Sequence, residues 1–215
     1  GPESVEFGLF VKEVVREMTV KTGQKCTAVR RAMVPEDLLD AAQAAITGRL
    51  AKTTHGDPSV EGTRMGSLAS FEQIQRVQDA VQTLSVNQTL VHGNLDGSGN
   101  PTGEHPQGAF FAPVLFRCDD PHGKTHAHDV EAFGPVSTLM PYKDLNDAAN
   151  LVAKGKGSLV TSIVTADKDV AKTFTLEAAY HNGRIHILDA SCAKESTGHG
   201  SPMPLLTHGG PGRAG

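Results

Sequence analysis

Two hydrophobic periodicities take turns along this 215-residue chain, and that alternation constrains the fold more than any other feature. Residues 7–20, FGLFVKEVVREMTV, set Phe7, Phe10, Val11, Val14, Val15 and Met18 at three- and four-residue steps. That spacing predicts an amphipathic helix, with Gly23 as its stop. A short apolar run at 32–34 follows, and Pro35 opens a second predicted helix over 35–52. Its acids, Glu36 and Asp37, sit at the positive end of the dipole, and Arg49 and Lys52 at the negative end. Ser70 caps a third helix running to Leu84. Strand-like segments occupy 89–93, 109–117, 136–142, 158–165 and 184–188, the fourth read as a buried strand, with helices at 144–154 and 167–182. Helix and strand in turn predict a three-layer α/β domain, its sheet mostly parallel with helices on both faces. In such sheets function collects in loops beyond the carboxyl ends of the strands. The length can bury a substantial core without staples, and one domain over 1–215 is expected.

A formal net charge of −4 leaves no electrostatic footprint for nucleic acid or an anionic membrane. No apolar run approaches the ~20 residues of a spanning helix, and the opening GPESVEFGLF lacks the basic-then-apolar pattern of a signal peptide. A cytoplasmic protein is expected. Cys26, Cys118 and Cys192 are an odd number with no C-x-x-C pair, so reduced thiols are expected rather than a disulfide framework or a zinc knuckle. The tail at 196–215 carries six glycines and three prolines and stops without a closing element, so the protein is expected to continue.

Four constellations bear on chemistry. In KTGQKCTAVRR, Cys26 follows a helix terminus, and Lys25, Arg30 and Arg31 bring positive charge that favours thiolate; the same position suits a buried, inert thiol. Cys118, His122, His126 and His128 have spacings a metal tolerates, and equally those of a polar loop, and no metal site is expected. Glycines 93, 97, 99 and 103 resemble a dinucleotide loop, but Pro101 stands where its helix should start, and the segment reads as a plain loop. In EAFGPV, Glu131 and Phe133 are two apart and face the same way if extended, so a carboxylate and a ring can meet one ligand; the alternative is a surface acid beside a core phenylalanine.

GQKCTAVRR followed about a hundred residues later by EAFGPV resembles the catalytic domain of the NAD(P)-dependent aldehyde dehydrogenase family, over essentially the whole chain. More narrowly, residues 10–35, TRMGSL and the tail are similar to the branch joined to a ring-opening hydratase in aerobic phenylacetate degradation, with a related branch acting on semialdehyde-CoA esters. The resemblance implies a thiolate nucleophile at Cys26, attacking an aldehyde carbon to give a thiohemiacetal and then a thioester, with the Cys26 backbone N–H as half an oxyanion hole. It implies contact of Glu131 with the ribose beside the nicotinamide, and of Phe133 with the nicotinamide of NADP or NAD. A small aldehyde, CoA-linked, is the implied substrate, and a homo-oligomer the implied assembly.

The departures shape the expectation for this polypeptide. The family's cofactor-binding domain, its water-activating glutamate, its oxyanion asparagine and its oligomerisation strand are expected to lie outside these residues. Glu13 and Glu17, on the helix before Cys26, match neither missing role. HGGPGRAG replaces the usual Pro-Phe-Gly-Gly block near the end, while residues around 189–200 are expected near the aldehyde tunnel. The chain alone is therefore expected to fold and to be nearly inactive. Two other readings remain open: a silent interaction or assembly domain on the same fold, and a cysteine hydrolase.

Overall fold

The computed structural model describes residues 1–103 and 108–194. Helix α1 spans Val5–Thr19, started by Ser4, whose Oγ accepts from Phe7 N–H at 3.1 Å. Strand β1 is Arg31–Pro35, and α2 is Leu39–Leu50. The second helix thus begins later than the sequence predicts. Pro35 has φ −50° and ψ 140°, an extended residue that ends the strand, and one 3-10 turn at Glu36–Leu38 intervenes. The third helix, α3, is Phe71–Ser85, capped by Ser70 as predicted. Then come β2 at Thr89–His92 and β3 at Val114–Arg117. The predicted strand over 109–117 is only its second half, because Pro113 has no N–H to offer a ladder. One helical turn, α4, His126–Asp129, interrupts the histidine-rich polar loop after β3. Strand β4, Val136–Tyr142, helix α5, Leu145–Ala153, strand β5, Thr161–Val164, helix α6, Lys168–Ala178, and strand β6, Ile185–Leu188, complete the order.

The main sheet runs β1-β4-β3-β2, with β1, β4 and β3 parallel and β2 antiparallel at the edge. A separate parallel pair joins β5 to β6, and β5 is half-buried rather than the buried strand expected. Alternation within the strands sorts the core into layers. Ala32, Val34, Leu115 and Leu139 pack against Val11, Val14 and Met18 of α1 and against Ala42 and Ile46 of α2. From the opposite face, Val114, Phe116 and Val136 meet Val77, Val81 and Leu84 of α3. Met33 turns to that side too, towards Ala148 and Val152 of α5 and Phe174 and Ala178 of α6. The three-layer α/β arrangement with helices on both faces is the one expected. No helix among the described residues is long and apolar enough to cross a membrane.

The histidine-rich loop serves packing. Cys118 is buried beside Ala127 and Met140, and His122 Nε2 pairs with Asp147 at 2.6 Å. His128 Nε2 lies 2.7 Å from the Pro121 carbonyl, and its Nδ1 lies 3.1 Å from Arg31 Nη1. Arg31 also donates to the Leu151 carbonyl at 2.7 Å and the Val152 carbonyl at 3.4 Å, closing the negative end of α5. Burial draws the Arg31 guanidinium down to about 10. Gly155 leaves it room, since a Cβ there would stand 2.3 Å from Arg31 Nη2. The glycine loop is structural as well: Gly97, at φ +72°, lies against the Phe111 ring, where a Cβ would come within 2.3 Å.

Burial holds the His128 imidazole below its usual range; the Pro121 carbonyl and Asp129 pull it up, and Arg31 and Lys154 push it down. His55, His92 and His186 are lowered by burial as well. A histidine whose folded value is depressed binds fewer protons folded than unfolded, so its contribution is complete above its unfolded value, about 6.5, and is lost as pH falls below it. The thermal midpoint is therefore expected to drop between about pH 7.5 and about pH 5.5. The drop should be smaller in His128→Gln, and equal drops in both proteins would remove His128 from the account.

Candidate active site

Cys26 is held by a turn that few sequences allow. After α1, Lys21 and Thr22 take φ of 54° and 57°, and Gly23 takes 69°. Three consecutive residues in the left-handed region reverse the chain sharply, a strained arrangement that persists only where surroundings enforce it. The surroundings are visible. Thr22 Oγ1 donates to the carbonyls of Gly66 and Ser67 at 3.1 and 3.2 Å. Gln24 donates through Nε2 to the Lys21 carbonyl at 3.0 Å and accepts from Ala69 N–H at 2.8 Å. Lys25 reaches back to the buried carboxylate of Glu17 on α1. Cys26 itself is exposed, while its neighbour Thr27 is buried.

Glu131 and Phe133 come to the same place because the two loops touch through their backbones. A Cβ on Gly23 would stand 2.1 Å from the Gly134 carbonyl oxygen and 2.8 Å from the Pro135 nitrogen. Only glycine permits that approach, so GQKC and EAFGP meet glycine to backbone. Gln73 on α3 steadies the second loop, donating to the Phe133 carbonyl at 2.9 Å. The meeting place lies before β1 and before β4, two adjacent parallel strands, and so at their amino ends. The expectation places function at carboxyl ends, whereas these candidate residues gather at amino ends: β1 and β4 run the same way, so the loops feeding them share one edge.

Arg30 links the three predicted residues. Its guanidinium pairs with Glu131 at 2.5 Å and lies 5.7 Å from the Phe133 ring centroid. It also donates to the Lys25 carbonyl at 3.1 Å and the Ala28 carbonyl at 3.3 Å. Burial lowers the pKa of the Arg30 guanidinium from its ordinary value, while the charges of Glu131 and then Cys26 pull it back up. Glu131 keeps a 59% exposed side chain and Phe133 is 38% exposed, so carboxylate and ring both face solvent beside the cation. All four residues line one cavity of about 960 Å³. The sequence marks Arg30 as positive charge near Cys26; its bond to Glu131 is a long-range contact that no local pattern announces. Among the described residues no group of three or more His, Cys, Asp and Glu side chains is arranged to hold a metal ion. The tail, and positions 195–200 of the expected tunnel segment, lie outside the described residues.

An α/β domain thus sets an exposed cysteine, a carboxylate and an aromatic ring around one arginine in a single cavity. The family is plain from comparison: residues 3–200 match the model of the aldehyde dehydrogenase family, and the chain belongs to that family. It is 40% identical over 210 residues to a 3,4-dehydroadipyl-CoA semialdehyde dehydrogenase of Aromatoleum evansii, covering 98% of this chain and 41% of that protein. It is 47% identical over 153 residues to Protein MaoC of Klebsiella aerogenes, covering 70% of this chain and 44% of that one. Among solved structures, an aldehyde dehydrogenase from Bartonella henselae superposes with a TM-score of 0.75 at 26% identity, over 95% of this chain and 40% of that chain. A betaine aldehyde dehydrogenase of Staphylococcus aureus in complex with NAD+ gives 0.78 at 21% identity, over 95% and 38%, a likeness of fold. The chain thus spans about two fifths of the length of these relatives.

Two outcomes follow from the geometry. Gly23→Ala is expected to cost about 2 kcal/mol or more in denaturant unfolding, from its positive φ and its clash with Gly134. Iodoacetamide near neutral pH is expected to modify exposed Cys26 at least ~10-fold faster than Cys118, which is buried and whose thiol burial pushes up. Peptide mass spectrometry of a time course measures both rates, and equal slow labelling would instead fit a silent domain.

Proposed function

We propose that this chain is the catalytic domain of an NAD(P)-dependent aldehyde dehydrogenase, acting on a CoA-linked semialdehyde of aerobic aromatic catabolism. The observation that carries the reading is the convergence of Cys26, Glu131 and Phe133 on Arg30 in one cavity. The CoA-semialdehyde name of the Aromatoleum relative, at 40% identity, supports the substrate class. The similarity to Protein MaoC supports the same catabolic setting.

In this reading Cys26 Sγ attacks the aldehyde carbon, and the aldehyde oxygen becomes the oxyanion of a thiohemiacetal. The Cys26 backbone N–H is one donor to that oxyanion. Arg30, electrostatically coupled to Cys26, supplies positive charge beside the attacking sulfur. A carboxylate that accepts two hydroxyl donors and a flat ring beside it fit the ribose and nicotinamide of a dinucleotide, and both side chains are exposed enough to be reached. Glu131 would hold the ribose and Phe133 would pack against the nicotinamide, fixing its distance from Cys26. The bound dinucleotide, NADP+ or NAD+, supplies the acceptor for the hydride that leaves the substrate carbon, and Cys26 is left as a thioester that water opens. In this reading the rest of the cofactor site lies outside this chain, which covers 41% of the Aromatoleum relative.

In the longer polypeptide, Cys26→Ser is expected to abolish aldehyde-dependent reduction of NAD(P)+ while leaving circular dichroism unchanged. Glu131→Gln is expected to raise the KM for dinucleotide roughly tenfold, since hydrogen bonds to a charged group are worth about 1.5–3 kcal/mol. The 215-residue chain alone should show little turnover. Retained oxidation in Cys26→Ser, or turnover by the chain alone matching that of the longer polypeptide, would refute the reading.

A further inference from the structure

The direction of the Cys26 N–H is set from the other end of its peptide group. Ala28 N–H donates to the Lys25 carbonyl at 3.1 Å, which makes residues 25–28 a β-turn with Cys26 as its second residue. The Lys25–Cys26 peptide is trans, so its carbonyl and its N–H lie in one plane and point opposite ways. The carbonyl is turned into the ring of the turn, and the Cys26 N–H is therefore turned out of it.

A carbonyl oxygen has two lone pairs, and here the second partner is Arg30. Its Nη2 donates to the Lys25 carbonyl at 3.1 Å, and its Nη1 donates to the Ala28 carbonyl at 3.3 Å. One guanidinium thus holds the first and the last residue of the turn that carries the cysteine. The fork is itself held, because Nη2 also pairs with Glu131 and the side chain is only 22% exposed. Lys25 is fixed from behind as well: its ammonium pairs with buried Glu17 on α1, and its N–H donates to the Gly23 carbonyl at 2.9 Å. With both flanking Cα atoms fixed, the soft motion left to a planar peptide is rotation about the line joining them. Two donors on one carbonyl oppose that rotation. A cationic donor also polarises the peptide, and linked hydrogen bonds strengthen one another by about 10–30% each.

We propose that Arg30 is a positioning residue for the oxyanion: acting through the Lys25 carbonyl, it aims and polarises the Cys26 N–H that receives the developing negative charge. This role rests on the reading of Cys26 as the nucleophile that attacks an aldehyde. It is distinct from charge beside the sulfur and from the pairing with Glu131, and the three roles separate under one substitution. A lysine at position 30 keeps the positive charge, but a compact ammonium lacks the planar fork that spans two carbonyls and a carboxylate.

The test is Arg30→Lys in the longer polypeptide. Its kcat/KM for aldehyde is expected to fall at least ~10-fold, part of the ~10²–10³ lost when an oxyanion donor is removed outright. Alkylation of Cys26 by iodoacetamide, which displaces iodide at a saturated carbon and forms no oxyanion, is expected to stay within about twofold because the charge is kept. The KM for dinucleotide is expected to stay within about twofold too, since uniform binding of that ligand is untouched. Equal falls in alkylation and oxidation would put the effect at the sulfur, and a rise in dinucleotide KM alone would put it at Glu131; either overturns the proposal. In the 215-residue chain, the Lys25 carbonyl-carbon and Cys26 amide-nitrogen resonances are expected to move in Arg30→Lys and in a second variant, Arg30→Gln, with Leu115 unmoved. Resonances that stay in place in a variant of unchanged circular dichroism overturn it as well. Cys26→Ser tells the two failures apart. Oxidation retained in Cys26→Ser refutes the nucleophile and this role with it, whereas oxidation abolished in Cys26→Ser and intact in Arg30→Lys refutes the role of Arg30 alone.

Discussion

The backbone approach of Gly23 to Gly134 and Pro135, which leaves no room for a side chain, is the constraint on which the rest of this structure depends. A side chain at position 23 would overlap the Gly134 carbonyl, so the turn that presents Cys26 and the loop that presents Glu131 are one mechanical unit. That unit reaches further. A Cβ on Gly134 would stand 2.8 Å from Val77 Cγ2 on α3, and Gln73 of the same helix holds the Phe133 carbonyl. A helix packed on one face of the sheet thereby sets the height of a loop at its edge, and through glycine contact sets the cysteine turn as well. The left-handed run Lys21, Thr22, Gly23 costs conformational energy, and the bonds of Thr22 and Gln24 to 66–69 offset it.

Parallel pairing explains why two loops a hundred residues apart share one place. Strand β1 pairs in register with β4, Arg31 against Thr138 and Met33 against Met140, so whatever precedes each strand emerges at the same edge. Arg31 and Arg30 then divide the work by the alternation of the strand. Arg31 turns to the end of α5 and His128, where it closes a helix terminus. Arg30 stays at the edge, between Glu131 and Phe133. Two adjacent arginines with identical chemistry thus acquire different partners from position alone.

Much of this was legible in the chain, and the parts that were not share a cause. Helices α1, α3, α5 and α6 follow from apolar spacing and from Ser4, Ser70, Asp144 and Asp167 as caps, all local signals. Cys26, Glu131 and Phe133 stood out through motif resemblance, and each lines the shared cavity. Illegible were features that depend on what a residue meets far along the chain. Pro35 begins a helix by its local statistics and ends a strand because β1 pairs with β4 through it. The split of β5 and β6 from the main sheet, and the choice of amino rather than carboxyl strand ends for the site, are properties of strand order, which no window of sequence contains.

The two ion pairs flanking Cys26 differ in a way that separates support from function. Lys25 and Glu17 are both largely buried, with side chains 14% and 3% exposed, and removing one partner of such a pair leaves an uncompensated charge worth about 3–5 kcal/mol. That pair fixes the turn and cannot be traded. Arg30 is 22% exposed and Glu131 59%, so the guanidinium of this second pair is largely covered while its carboxylate is open to water. Under the proposed function Glu131, the open end of the pair, exchanges the guanidinium for the hydroxyls of an incoming ligand, and Arg30 keeps its bonds to the Lys25 and Ala28 carbonyls. In the proposed role, ligand capture by Glu131 and exposure of positive charge to the sulfur become one event, achieved by a side-chain exchange while the buried pair keeps the backbone still.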